Sequence, residues 1–163
     1  MAQVAPMMSF GDAVKTCFKK YASFKGRARR SEFWWFYLAI YVVNSVLGSI
    51  LFYFGSAKQA IQDEALNNIG FDKLDQLQAL ADKEATYAHI NLVLMILIAV
   101  WSLVTLLPIL AAWCRRLHDV GKSGHYLWLG LLCGVGGLIP LIMAIGDSQP
   151  HPNAYGPSPK YVE

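Results

Sequence analysis

"INLVLMILIAVWSLVTLLPILAAWCRRLHDVGKSGHYLW", residues 90–128, holds an apolar run that ends abruptly in a knot of mixed charge. Residues 90–113 contain no Asp, Glu, Lys, Arg or His. At about 1.5 Å rise per residue, about 20 such residues match the roughly 30 Å of bilayer hydrocarbon. Two further runs are equally free of charge, 33–54 (FWWFYLAIYVVNSVLGSILFYF) and 126–145 (YLWLGLLCGVGGLIPLIMAI). One run alone is also compatible with a buried core helix. Three of them in 163 residues leave too little polar sequence to cover them. The chain is 55% hydrophobic and only 15% charged, against about 45–50% and about 25% in ordinary soluble chains. The expected fold is an all-α membrane protein with three transmembrane helices and an N-terminal interfacial amphipathic helix.

The flanks set the direction. Lys15, Lys19, Lys20, Lys25, Arg27, Arg29 and Arg30 precede the first run. The connector 55–89 has Lys58, Lys73 and Lys83 against six acids, and 114–125 is basic again through Arg115, Arg116 and Lys122. Because Lys and Arg in short loops stay on the inner side, the N-terminus and the 114–125 loop are expected in the cytoplasm and 55–89 outside. Trp34, Trp35, Tyr37, Trp113, Tyr126 and Trp128 then mark the inner interface, and Tyr53 and Tyr87 the outer one. The first run starts too late and is too long for a cleaved signal peptide. The expected organisation is a cytoplasmic segment 1–32, spans 33–54, 90–113 and 126–145, the connector 55–89, the loop 114–125 and a tail 146–163. "GVGGLIP" at 134–140 keeps a second topology open, with the third run re-entrant and the tail cytoplasmic.

Outside the spans, Phe10, Ala13, Val14, Cys17, Phe18 and Tyr21 recur at helical spacing, with Lys15, Lys19 and Lys20 elsewhere. Ser9 followed by Asp12 resembles a capping box. An apolar stripe with a basic opposite face suits a helix lying on an anionic membrane surface. In the connector, 57–66 and 71–85 are helix-prone and separated by a turn at Asn67, Asn68 and Gly70. Gly130, Gly134 and Gly137 form a small-residue face for helix packing. Pro108 and Pro140 are expected to kink their helices. With no ionisable residue inside any span, a proton-coupled transporter is disfavoured. Cys17, Cys114 and Cys133 show no CxxC spacing or disulfide framework and are expected as free thiols.

The knot admits several chemistries. His118-Asp119 resembles the dipeptide of metal phosphohydrolases, but a catalytic metal needs about three protein ligands, and His89 lies across the membrane on this topology. Ser123, His118 and Asp119 lack an oxyanion hole and a strained nucleophile turn. Gly-Lys-Ser lacks the upstream glycine and strand of a phosphate-binding loop. No metal, cofactor or catalytic residue is therefore expected. Two readings remain. Arg27, Arg29, Arg30, Arg115, Arg116 and Lys122 form a clamp for anionic headgroups, or Glu32 and Asp119 pair with the arginines and staple spans one and two. His118 belongs to the same cluster.

"FKGRARRSEFWWF" (24–36), "RRLHDVGKSGHYLW" (115–128) and "PNAYGPSP" (152–159) together resemble the domain of unknown function family 805, the YhaH-like bacterial inner-membrane proteins. The resemblance covers nearly the whole chain except the outer connector. It implies a small integral membrane protein, with Gly26, Arg27, Arg29, Arg30, Glu32, Arg115, Arg116, His118, Asp119, Gly121, Ser123, Asn153, Tyr155, Gly156 and Pro157 at its signature positions. Members commonly carry Trp where this chain has His125-Tyr126, and a Gly-rich turn where it has Asp147–His151. The first functional expectation is a non-enzymatic scaffold or regulatory subunit at the bacterial inner membrane. It would bind anionic lipid or a membrane-protein partner through its basic cytoplasmic face, and no nucleic acid. The alternative is an oligomeric transport or pore-forming protein.

Overall fold

The computed structural model describes residues 3–67, 74–131 and 136–162. Its elements are β1 (Gln3–Val4), α1 (Phe10–Lys19), α2 (Arg30–Asn67), α3 (Leu74–Asp119), a 3₁₀ helix (Gly124–Leu131), α4 (Leu138–Ile145) and β2 (Tyr161–Val162). They divide into two compact units, Met1–Ile40 with Val104–Glu163, and Tyr41–Leu103.

The helices α2 and α3 are long and apolar enough to cross a membrane. With 38 and 46 residues they measure about 57 and about 69 Å at 1.5 Å per residue, well beyond the roughly 30 Å of hydrocarbon. Of the charged sequence expected as a helical hairpin at 57–66 and 71–85, residues 57–66 prolong α2 and residues 74–85 open α3. Its turn at 67–70 falls almost wholly outside the described residues. In the Tyr41–Leu103 unit the two helices run antiparallel. Trp101 Nε1 donates to Asn44 Oδ1 at 3.0 Å, Phe54 meets Tyr87 at 5.9 Å between centroids, and Gln62 donates to Glu84. Many of their other apolar side chains point outward, with Phe52 78% and Leu103 69% exposed. A core helix of a soluble protein hides such groups; a lipid-facing helix does not.

Pro108 lies inside α3 without ending it. Lacking an N–H, it leaves the carbonyl four residues earlier without its helical donor. That carbonyl is Val104 O, and the Tyr21 hydroxyl donates to it at 2.6 Å. The helix α1 forms behind its Ser9 cap, whose hydroxyl accepts from Asp12 N at 3.2 Å. Its buried residues are Ala13 and Cys17. Much of its apolar face packs on the chain itself, with Phe18 edge-on to Phe36 at 5.5 Å and Phe10 edge-on to Trp35 at 5.9 Å.

The described residues of the third apolar run form the 3₁₀ helix and the eight-residue α4, which pack together. At about 1.5 Å per residue, α4 covers about 12 Å and is too short to cross a bilayer. Both ends of the run lie at the C-terminal end of α3. A Cβ on Gly124 would meet Cys114 Sγ at 2.3 Å, and Gly146 O accepts from Arg116. Residues 124 and 146, which bracket the run, thus both lie near the C-terminal end of α3. The segments flanking the head also meet, through Gln3 paired with Val162 and Val4 with Tyr161.

Candidate functional site

The last turns of α3 supply the knot. Cys114 through Asp119 follow one another where the outgoing carbonyls of a helix favour cations. Arg116 and Asp119, three apart, meet through Nη1 and Oδ2 at 2.5 Å. The helix then ends in a Schellman cap. Lys122 N donates to Leu117 O at 2.8 Å and Gly121 N to His118 O at 3.0 Å. Gly121 has φ +73, and a Cβ there would lie 2.3 Å from the Gln149 amide nitrogen. Glycine is what this cap and this close approach require.

The segment before α2 lies over that helix end, tied by Ala28 N donating to Arg115 O at 3.0 Å. Every N–H of Arg27 has an acceptor. Its Nε reaches Asp119 Oδ1 at 2.9 Å, and its Nη2 reaches Asp119 O at 3.2 Å and Gln149 O at 2.6 Å. Its Nη1 reaches His151 O at 3.0 Å and Gly156 O at 3.3 Å. Arg116 donates to Ala144 O at 2.9 Å, Ala28 O at 3.3 Å and Gly146 O. Arg115 donates to Lys20 O at 3.2 Å, Ser23 O at 2.8 Å and Glu32 Oε1 at 3.3 Å. Among the described residues its Nε is buried without a hydrogen-bond partner. Arg115 is 1% exposed, and Arg116 and Asp119 are fully buried.

The tail completes the site. Ser148, also buried, donates its hydroxyl to Asp119 Oδ2 at 2.5 Å. Asn153 donates to His118 O and to Gln149 Oε1, both at 2.9 Å. Asn153 and Gly156 close a small turn on each other, which presents Tyr155 flat against His118, with centroids 3.7 Å apart and planes 3° from parallel. His118 Nδ1 lies 3.2 Å from Gly26 O and Nε2 3.5 Å from Cys114 Sγ. Burial pulls the His118 pKa down, partly opposed by the Gly26 carbonyl. The Cys17 thiol, beside Glu32 at 3.9 Å, is pushed up to about 12 chiefly by burial and then by that carboxylate. Burial also raises Cys114. Neither thiol is an activated nucleophile.

The structure thus brings together Arg27, Glu32, Arg115, Arg116, His118, Asp119, Asn153, Tyr155 and Gly156. Arg29 sits beside them, buried, donating to Ala5 O at 3.3 Å and to Pro6 O. Arg30 faces outward, with its Nε on Gly146 O at 3.0 Å. Lys122 and Pro157 are exposed. Gly130 and Gly137 have open space around them rather than a packed helix, and Gly134 lies outside the described residues. Sequence reasoning missed Cys17, Ser148 and Gln149. It also missed the carbonyls of Ala144, Gly146 and His151, since backbone acceptors leave no mark in a sequence.

Residues 21–157 match the model of the family described as "Protein of unknown function (DUF805)". Among curated proteins, the inner membrane protein YhaI of Escherichia coli (strain K12) is 29% identical over 143 residues, covering 88% of this chain and 91% of the relative. The inner membrane protein YhaH of the same strain is 28% identical over 142 residues, covering 87% and 91%. No solved structure matches. The family match takes in the first two quoted motifs and the third as far as Pro157, and the structure folds all three onto the end of one helix. This chain belongs to the DUF805 family.

Proposed function

We propose that the chain is a non-enzymatic module of the bacterial inner membrane, a scaffold or regulatory subunit that holds a basic cytoplasmic head against anionic lipid. The observation that carries this reading is the saturation of the knot. Asp119 is taken by Arg27, Arg116 and Ser148, and His118 is closed in by Gly26, Cys114 and Tyr155. A general base or nucleophile needs a substrate within hydrogen-bond reach, and these groups face only their own chain. Arg115 and Arg116 are buried among carbonyls and carboxylates, so in this reading they staple the head and do not touch lipid. Contact with lipid falls instead to the exposed cations Lys15, Lys19, Lys20, Lys25 and Arg30. In the matching topology α2 and α3 cross once each, the 124–146 run dips and returns, and the tail is cytoplasmic. Support comes from the shared location of both ends of that run, together with the basic flanks.

Two experiments test this. A cysteine placed at exposed Pro157 in a variant without native cysteines should be labelled only from the cytoplasmic side. Changing Lys15, Lys19, Lys20 and Lys25 together to Gln should weaken association of the full chain, held in bilayer discs, with phosphatidylglycerol vesicles. Roughly 1 kcal/mol per basic residue near an anionic surface makes that loss large. Association equal to that of the parent overturns the proposal.

A further inference from the structure

A cavity of about 220 Å³ lies between β1, the first turn of α2 and the tail. It is smaller than the about 300–1,000 Å³ of sites for whole cofactors. Three cations, Arg29, Arg30 and Lys160, line it against one acid, Asp147. We propose that it binds a phosphate group, and that Asp147 occupies the place of that anion while the site is empty of ligand. The proposal deepens the reading of the head as an anionic-lipid contact and rests on it.

The donors differ in their availability. Arg29 is held by the Ala5 and Pro6 carbonyls, so it fixes the wall and supplies charge. Arg30 is half-exposed, and only its Nε is engaged, on Gly146 O. Among the described residues its two terminal nitrogens have no hydrogen-bond acceptor, which leaves the fork that matches phosphate oxygens in a paired contact. Lys160 Nζ donates to Asp147 Oδ2 at 2.7 Å. Asp147 Oδ1 lies 3.8 Å from Arg30 Nε, beyond hydrogen-bond length, and Asp147 is half-exposed. One carboxylate therefore spans two cations and satisfies one of them. A phosphate, with more acceptor oxygens and more charge, engages both, and the Asp147 side chain is free to turn to water.

The opposite wall is apolar and unusually open, with Met7 84% and Val4 61% exposed. Apolar side chains beside a phosphate site suit a phospholipid, whose glycerol and acyl ends continue from the headgroup. The cavity also opens three residues before the apolar run that starts at Phe33, at headgroup depth in the proposed topology.

The test uses the full chain purified in detergent and in bilayer discs. Native mass spectrometry should find one phosphatidylglycerol retained per chain and no retained phosphatidylcholine. Arg30→Gln with Lys160→Gln should cut that retention about tenfold or more, since both lost contacts are charge-assisted. Asp147→Asn should raise it, because the competing carboxylate is gone. A residue serving structure alone would lower stability in this variant and not tighten a ligand. Inorganic phosphate and glycerol phosphate separate the sources. If they displace the lipid, or raise the melting temperature of the parent and not of the double variant, the site takes phosphate as such. If only the phospholipid is retained, it takes a headgroup with its glycerol. Undiminished retention in the double variant, or weakened retention in Asp147→Asn, overturns the cavity as the site. In either case the lysine variant of the preceding section still reports on the general membrane contact, so the two proposals fail separately.

Discussion

Replacing Asp119 by Ala should open the head, and the structure allows the size of the effect to be worked out. Asp119 is fully buried and its carboxylate meets Arg27 at 2.9 Å, Arg116 at 2.5 Å and the Ser148 hydroxyl. Its removal leaves two buried guanidinium groups facing one lost charge. Both keep carbonyl partners, four for Arg27 and three for Arg116, so neither is stripped of hydrogen bonds. The loss is the uncompensated charge, which for one partner of a buried pair costs about 3–5 kcal/mol. Cys17 and Cys114 provide the assay, because both are buried in the same unit as the knot. In a Cys133→Ser background, maleimide labelling of these thiols requires the head to open. When opening is fast and reversible, the labelling rate follows the open fraction. At about 1.36 kcal/mol per decade, Asp119→Ala should accelerate labelling by about two to nearly four decades. An unchanged rate, with the protein still folded in detergent, would refute the claim that this carboxylate balances the buried arginines.

Other perturbations reach separate parts of the fold. Tyr21→Phe removes the donor to Val104 O and should destabilise by about 1–3 kcal/mol, as an orphaned acceptor does. In a Pro108→Ala background the restored N–H takes over that carbonyl, so a double-mutant cycle by thermal unfolding should show the Tyr21 effect shrink. For His118 the folded pKa lies below the ordinary 6.5, so the unfolded chain binds its proton first as pH falls. The neutral fold has its full His118 contribution above about 6.5 and loses it as pH drops from there towards the folded value. Melting temperature should fall between pH 7.5 and pH 5.5 by less in His118→Gln, and equal slopes would exclude the histidine as the source. Arg27→Met should release the tail while leaving α2 and α3 intact, read as proteolysis after residue 146 with unchanged helical circular dichroism.

What the sequence made legible follows from which partner each residue uses. The runs at 33–54 and 90–113 stand out because lipid, as their solvent, demands uninterrupted apolar character, and composition records that directly. The knot stands out because charges beside apolar runs are few. Its burial does not stand out. Arg115 and Arg116 look in sequence like exposed headgroup ligands, yet the carbonyls of Ser23, Ala28, Ala144 and Gly146 enclose them, and a backbone carbonyl belongs to every residue type. The 126–145 run has enough apolar length for a crossing. What composition does not record is the tail's attachment to Asp119 and His118, a contact many residues away in the chain. The connector 55–89 hid its continuity with α2 and α3 for the opposite reason. Charged residues that prolong an apolar helix look the same in sequence as those of a separate helical hairpin.

The balance of charge in the knot explains why three distant motifs must be present together. Four buried arginines, at 27, 29, 115 and 116, face two buried acids, Glu32 and Asp119. Such a surplus is costly unless the cations find further negative potential. Arg29 finds it at the Ala5 and Pro6 carbonyls, and the other three find it at helix ends. Lys20 O closes α1, Ala144 O and Gly146 O close α4, and Arg116 and Arg27 themselves stand at the carbonyl end of α3. The oriented carbonyls there carry the partial negative charge of a helix C-terminus. No one segment supplies enough of it. Arg27 needs the end of α3 and holds the tail through its remaining donors, and the arginines of α3 need the ends of α1 and α4. This mutual dependence ties the segment before α2, the helix end and the tail into one unit. It also gives the C-terminal end of α4 its place, since Arg116 takes the Ala144 and Gly146 carbonyls.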